Sequence, residues 1–350
     1  MEYQVSSISY DRRNFYAHKH EQLFEFSQGK KAKRSFAESD GKKIYLPSNM
    51  FKKLEIYVEG QLTVYRSEGE IVGEYSYGSD YSRANGCGCL LESYKSTFNE
   101  FQYDDVVSFL HPGGYNIHHF FFEVLPVIYM NREALKGRTI LVPTTPGGGN
   151  FFSEFNDLLS LGVNFLQVPV GSVIRGTNIE VFGNFPFRIY PIEVIQIMRN
   201  IAWNLPIMKQ KGEMFSEIIY IGRGDMERDR RKIKNESEIF EKMMDRGIEF
   251  SVIRPGLLPL NETIKKVMNA KVVIGPTGGA LFHHIWSKNL ETLIELKPKL
   301  YESMSESEEL SNFFEFSYRE SPTHPESNRF WSHDDQVADL DAFKKLIRTL

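Results

Sequence analysis

The sequence predicts an α/β protein built on parallel strands, from three observations. Val272-Val-Ile-Gly-Pro-Thr-Gly-Gly-Ala-Leu-Phe-His-His284, followed by Thr292-Leu-Ile-Glu-Leu296, reads as a buried strand, a tight turn, a short apolar helix and a second buried strand ending at Glu295. From Glu217 onward, β-branched runs alternate cleanly with helical patterns, as βαβ units require. A looser alternation of the same kind begins at Ile117.

Residues 1 to about 100 read as irregular and strand-rich, with Leu54–Val58 and Leu62–Tyr65 forming a hairpin across Glu59-Gly60. Ile117 to Met130 has helical spacing, and Arg138–Val142 is a short buried strand. A helix over Phe151–Leu161 and strands at Asn164–Val168 and Asn178–Phe182 follow. Pro191 opens a longer helix to about Asn204, proline being favoured at a first helical position. Beyond Leu205-Pro206 come a strand at Glu217–Ile221, a helix over Asn235–Asp245, a strand at Ile248–Ile253 and a helix over Leu260–Asn269. Asn235 with Glu238 has the form of a capping box. The expected division is one domain over 1–205, a second over 206–310, and a tail with a terminal helix over 311–350 that could pack back on the first. The acidic stretch Glu302–Glu309 reads as a surface loop.

With 350 residues the chain can hold two cores, and its 41% hydrophobic and 25% charged content is that of an ordinary globular protein. A net charge of -4 excludes a dedicated nucleic-acid binder, which would be basic. The 27 Phe and 17 Tyr suit large cores or clefts for flat and sugar-like ligands. Cys87 and Cys89 lack the partners a metal site or disulfide scaffold needs, and read as free thiols in a reducing compartment. No apolar run reaches membrane-spanning length and the N-terminus lacks a signal-peptide pattern, so a cytoplasmic protein is expected, with peripheral membrane association open.

Three constellations could carry chemistry. In His111-Pro-Gly-Gly-Tyr-Asn-Ile-His-His-Phe-Phe-Phe-Glu-Val-Leu-Pro126, His119 and Glu123 are i,i+4 neighbours, and an imidazole beside a carboxylate can act as a general base. Packing of the histidines among the phenylalanines is the plainer reading of any one of them. In the second, Arg223 ends a parallel strand and Arg228, Arg230, Arg231 and Lys232 follow, a natural diphosphate clamp or a solvated charged loop. Arg223 and Arg231 are the functional candidates of that group. The third is the Thr277-Gly278-Gly279 turn with Glu295. Backbone N–H groups and a helix start there suit phosphate, and a strand-end carboxylate suits sugar hydroxyls; close packing and a salt bridge are the structural alternatives. Neither a dinucleotide G-x-G-x-x-G nor a P-loop ending is present, and no metal motif is visible.

In this order the constellations resemble glycosyltransferase family 61. Its first motif is matched by Asn116, His119, Glu123, Leu125 and Pro126, with His118 able to hold the His place after a one-residue slip. The middle motif is matched by Arg223, Arg231-Lys232, Asn235 and Glu238, and the third by Gly275, Pro276, Thr277, Gly278, Gly279, Ala280, Leu281 and Glu295. Thr277 stands where the family has His, and His283 where Asn is common, so His283 or His284 could take over that contact. The resemblance covers roughly residues 108–297. It implies a GT-B architecture of two Rossmann-like domains facing a cleft, and metal-independent, inverting transfer from a nucleotide sugar, a UDP-sugar foremost, to a glycan or glycolipid acceptor in capsule or surface polysaccharide synthesis. By the same resemblance, a base among His119, His118 and Glu123 would deprotonate the acceptor, while Arg223, Arg231, Lys232, Thr277, Gly278, Gly279 and Glu295 would hold the donor. The alternative is a degenerate, non-catalytic sugar- or nucleotide-binding subunit of a polysaccharide assembly complex. A nicotinamide enzyme is a weaker rival, as is a purely structural subunit.

Overall fold

The computed structural model describes residues 33–39, 42–59, 62–67, 70–71, 99–110, 114–145, 150–183, 190–209, 215–223, 232–298, 306–325 and 335–350. Cys87, Cys89, the hairpin turn at Gly60, His111 and the basic residues Arg228, Arg230 and Arg231 lie outside these. The chain divides into two compact units, one ending at Met198 and the other beginning at Arg199. Among the described residues no helix is long and apolar enough to cross a membrane.

The first unit contributes strands β1 (Lys33–Ser39), β2 (Lys42–Phe51), β3 (Leu54–Glu59), β4 (Leu62–Ser67), β5 (Glu70–Ile71), β6 (Asn99–Gln102), β7 (Val107–Ser108), β8 (Thr139–Pro143), β9 (Asn164–Val168), β10 (Ser172–Gly176) and β11 (Ile179–Phe182). They form two sheets, ordered β1-β2-β11-β7-β8-β9 and β5-β4-β3-β10-β6. The expected hairpin is present as β3 and β4, with Ile56 opposite Tyr65. β6, β7 and β10 have no counterpart in the sequence reading. The two sheets share one core, in which Ile56 and Ile174 meet Leu141 and Val181, all fully buried.

Within the first sheet β7, β8, β9 and β11 are parallel neighbours. Helices lie between β7 and β8 and between β8 and β9, and the spatial order β9-β8-β7-β11 is that of half a Rossmann sheet, 3-2-1-4. Connections leave β7 towards β8 on one side and reach β11 on the other. The topological switch point therefore falls between β7 and β11. The helix that opens at Ile117 follows the carboxyl end of β7.

The second unit carries β12 (Ile218–Ile221), β13 (Ser251–Ile253), β14 (Val272–Pro276), β15 (Thr292–Pro298), β16 (Ser317–Pro325) and β17 (Gln336–Ala338). Their order is β13-β12-β14-β15-β16-β17, parallel throughout except for the antiparallel β17. Strand for strand this is the doubly wound order 2-1-3-4-5, with its switch point between β12 and β14. Residues 311–350, expected as a separate tail, instead supply β16 and β17 to this sheet. Phe343 and Ile347 of the terminal helical segment are buried in its core with Tyr220, Ile274 and Ile294. The reason is that these strands bury polar residues, Ser321 and Thr323 in β16 and Gln336 in β17, and so show no apolar period to read. The acidic loop is also corrected: Glu306–Phe314 is a helix, with Ser307, Glu309 and Leu310 buried.

Gly275 shows why the switch point needs a glycine. A Cβ there would stand 2.7 Å from the Ile221 carbonyl oxygen and 3.1 Å from Leu281 Cδ1. Gly275→Ala is therefore expected to destabilise the second unit by about 1–3 kcal/mol, because backbone must move to admit the methyl group. A thermal unfolding midpoint unchanged from wild type would contradict this packing.

Candidate functional site

Unit one builds its site at the start of the helix after β7. Asn116 caps this helix, its Oδ1 accepting from the His118 backbone N–H at 2.9 Å. The next turn widens into a π-turn over Phe120–Val124, and the Leu125 N–H donates to the Phe120 carbonyl five residues back. Pro126 explains this locally: it has no N–H to return, and its ring would crowd the preceding carbonyl, so the helix takes up an extra residue. Phe120, Phe121 and Phe122 are all buried in the wide turn. Phe120 meets Phe152 edge-on at 4.8 Å and Phe122 meets Tyr190 at 5.2 Å. These contacts fix the direction of the side chains next to them. The phenylalanines here are core rather than a ligand cleft.

His119 stands at the edge of that aromatic cluster. Its Nδ1 lies 2.6 Å from Glu123 Oε1, with the imidazole 31% exposed and the carboxylate 4% exposed. An ionised carboxylate only accepts, so Nδ1 carries the proton and Nε2 is the basic nitrogen. His118 packs edge-on against Phe122 at 4.8 Å and against His119 at 5.4 Å. Of the three candidates, His119 and Glu123 are paired directly, and His118 packs beside them.

Unit two brings its residues to the carboxyl ends of β12 and β14, on either side of the switch point. Arg223, half-buried, follows β12 and donates from Nη2 to the Thr277 carbonyl at 3.2 Å. Thr277 follows β14, and its N–H and hydroxyl both donate to the Leu296 carbonyl, at 3.1 and 3.3 Å. That bond holds the turn against β15. Gly278 has φ +128°, a conformation that only glycine adopts at little cost.

Three expectations about this region change. The helix after the turn is a six-residue 3-10 segment, Leu281–Trp286, and the Leu281 N–H is already donated to Gly278. Any anion contact would thus come from the turn amides rather than from a helix dipole. Glu295 is not at a strand end. β15 runs on to Pro298, and Glu295 sits mid-strand, 2% exposed, accepting from the Tyr318 hydroxyl at 2.6 Å. Asn235 forms no capping box; its side chain instead exchanges two hydrogen bonds with the Ala338 backbone, at 3.0 and 2.8 Å. Lys232 uses its backbone N–H on Asp335 at 3.0 Å, tying the loop to the lead-in of β17.

His283 and His284 are core residues, 3% and 1% exposed. Burial, then the neighbouring His284, pushes the His283 imidazole down from 6.5 to about 3. It is neutral at neutral pH. His284 uses Nδ1 on the Leu281 carbonyl at 2.7 Å. Because the folded-state value lies below the unfolded one, His283 supports folding fully above about pH 6.5 and loses that support as pH falls towards about 3. Within that window stability should fall by up to about 1.4 kcal/mol per pH unit from this group. His283→Leu should flatten the acid limb of a stability–pH curve; an unchanged limb would place the acid sensitivity elsewhere.

A neighbouring pair was not legible beforehand. Arg254, just after β13, donates from Nη2 to Glu236 Oε2 at 2.6 Å, beside the Gly222-Arg223 turn. Among the described residues, no group of three His, Cys, Asp or Glu side chains is placed to hold a metal ion.

The sequence matches the profile of the family described as Glycosyltransferase 61 over residues 117–294. No curated protein matches. Among solved structures, the dodecameric iron-containing heptosyltransferase TibC in complex with ADP-D-beta-D-heptose is similar at 9% identity, over 77% of this chain and 79% of that one, with a TM-score of 0.29. TibC from enterotoxigenic E. coli H10407 is similar at 8% identity, over 76% and 77% of the two chains, with a TM-score of 0.28. Rubredoxin oxygen:oxidoreductase from Desulfovibrio gigas is similar at 11% identity, over 97% of this chain and 72% of that one, with a TM-score of 0.26. The profile match takes in the His119–Glu123 pair, Arg223 and the Thr277-Gly278-Gly279 turn, and the chain belongs to glycosyltransferase family 61.

Proposed function

We propose that this glycosyltransferase moves a sugar from a nucleotide-sugar donor to a hydroxyl of a glycan or glycolipid acceptor, with inversion at the anomeric carbon and without a metal ion. The observation that carries this reading is the placement of Arg223 and the Thr277 turn across the β12/β14 switch point, where open α/β sheets bind ligands. In this reading the second unit holds the donor and the first the acceptor, the division of labour of a GT-B enzyme. A UDP-sugar is the donor we favour. Family membership supports a role in capsule or surface polysaccharide synthesis, in the cytoplasm or at the inner membrane surface.

The acceptor hydroxyl loses its proton to His119 Nε2 as its oxygen bonds to the anomeric carbon. The bond from that carbon to the diphosphate oxygen breaks in the same displacement, and the electron pair leaves with the nucleoside diphosphate. Arg223 and the turn amides meet the charge that grows on the departing oxygen, which is electrostatic catalysis by groups already in place. His119 becomes a cation beside Glu123, which stabilises it at 2.6 Å.

The test is incubation of the full chain with a nucleotide-sugar panel and glycan or glycolipid acceptors in the presence of chelator. Formation of nucleoside diphosphate together with a glycoside of inverted anomeric configuration supports the proposal. Donor binding without product would favour the degenerate binding subunit. The Thr277 hydroxyl, already used on the Leu296 carbonyl, is the specific observation on that side.

A further inference from the structure

We propose that Arg199 and Trp203 are positioning residues for the Thr277-Gly278-Gly279 turn, acting on it through the segment Leu281–Trp286. The assignment rests on the donor-site reading above. Both residues lie in the second half of the helix Ile192–Asn204, and neither belongs to a motif that the sequence singles out. A chain of hydrogen bonds stepping three residues at a time joins the turn to Arg199. The Leu281 N–H donates to the Gly278 carbonyl at 2.9 Å. His284 donates from Nδ1 to the Leu281 carbonyl at 2.7 Å, since a carbonyl can only accept. The Ser287 N–H donates to the His284 carbonyl at 3.0 Å, and Arg199 Nη2 donates to the Ser287 carbonyl at 2.8 Å. Trp203 adds a second tie, from Nε1 to the Trp286 carbonyl at 2.8 Å.

The segment needs such ties. A 3-10 run of six residues is long for its kind, because its bonds are poorly aligned, so its far end is held from outside. Residues 281–287 are all buried, and bonds shielded from water reinforce one another along a chain. Arg199 is a costly choice for a simple brace. It is itself buried, and burial lowers its guanidinium to about 10, so it remains charged at neutral pH. An apolar side chain would pack there at less cost. What the guanidinium supplies is a strong, charge-assisted donor in a fixed plane. That plane is set by the rings of Trp203, 4.6 Å away, and Phe314, 4.3 Å away. Released at Ser287, the segment could relax and carry with it Gly278, whose amide neighbours would meet the diphosphate. The rival reading is that Arg199 only braces its helix against the sheet.

Titration calorimetry of the full chain with uridine, adenosine, guanosine and cytidine diphosphates separates the two, with melting temperatures measured alongside. Arg199→Met keeps the length of the stem and removes the donor. It should weaken the nucleotide that wild type binds by about tenfold, the scale of one hydrogen bond to a charged group. Arg199→Lys restores a charge without the planar fork and should recover part of that loss. Ile347→Val, in the core and outside this chain, should lower the melting temperature and leave the dissociation constant unchanged. If Arg199→Met does not fold, Trp203→Phe, which keeps a ring and removes one N–H, decides by the same comparison. A wild-type dissociation constant in a folded Arg199→Met protein would overturn the proposal. So would an equal weakening in Ile347→Val, which would reduce Arg199 to general packing. Failure of wild type to bind any nucleoside diphosphate would overturn the donor-site reading itself, and this assignment with it.

Discussion

Replacing His119 by alanine is expected to lower kcat by about 10²–10⁴-fold, the range that a positioned general base contributes. The expectation follows from the tautomer. Glu123, buried and 2.6 Å from Nδ1, fixes the proton on that nitrogen and makes Nε2 the base. The imidazole is 31% exposed, so its removal opens little cavity and the fold should survive. The donor KM should change little, because the proposed donor site lies in the second unit. The acid limb of the pH–rate profile should also disappear, since it reports titration of the base. A packing role would predict the reverse, a lower melting temperature with kcat and pH profile intact. Glu123→Gln keeps the shape but loses the charge that steadies the imidazolium, so its defect should lie between wild type and His119→Ala.

Arg223→Ala should cost about 10²–10³-fold in kcat, the loss typical when one preorganised donor to a developing negative charge is removed. The guanidinium is half-buried and donates to the Thr277 carbonyl at 3.2 Å, so the melting temperature of the variant is measured beside its rate to separate lost catalysis from lost structure. Arg223→Lys restores the charge without the planar fork and should recover part of the rate. A folded Arg223→Ala protein with near-wild-type turnover would refute the clamp.

The strands that hold these residues were readable because their chemistry is local. Ile218–Ile221 and Val272–Ile274 are β-branched runs closed by glycine, and buried parallel strands are written that way. The His119–Glu123 pair was readable from i,i+4 spacing, although the π-turn between them was not, because it answers to Pro126 further along. What escaped the sequence depends on distant chain. β7 is two residues long, and β10 mixes Ser172 and Arg175 into its apolar positions, so neither has a period to detect. The strand holding Glu295 reads as ending there, but pairing with β16 carries it on to Pro298. Asn235 spends its side chain on Ala338, about a hundred residues away, where no local capping pattern could reveal it. The Glu236–Arg254 pair exists only because β12 and β13 are neighbours in the sheet.

The most direct test of the central claim is a thermal-shift comparison of the full chain and Arg223→Ala against nucleoside diphosphates and nucleotide sugars. At a hundred times its dissociation constant, a ligand bound only by the folded state adds about 2.7 kcal/mol of stability, a shift readily seen. The donor-site account predicts that one nucleoside diphosphate raises the melting temperature of wild type and leaves Arg223→Ala unmoved. An equal shift in both proteins, or none with any nucleotide, would contradict it.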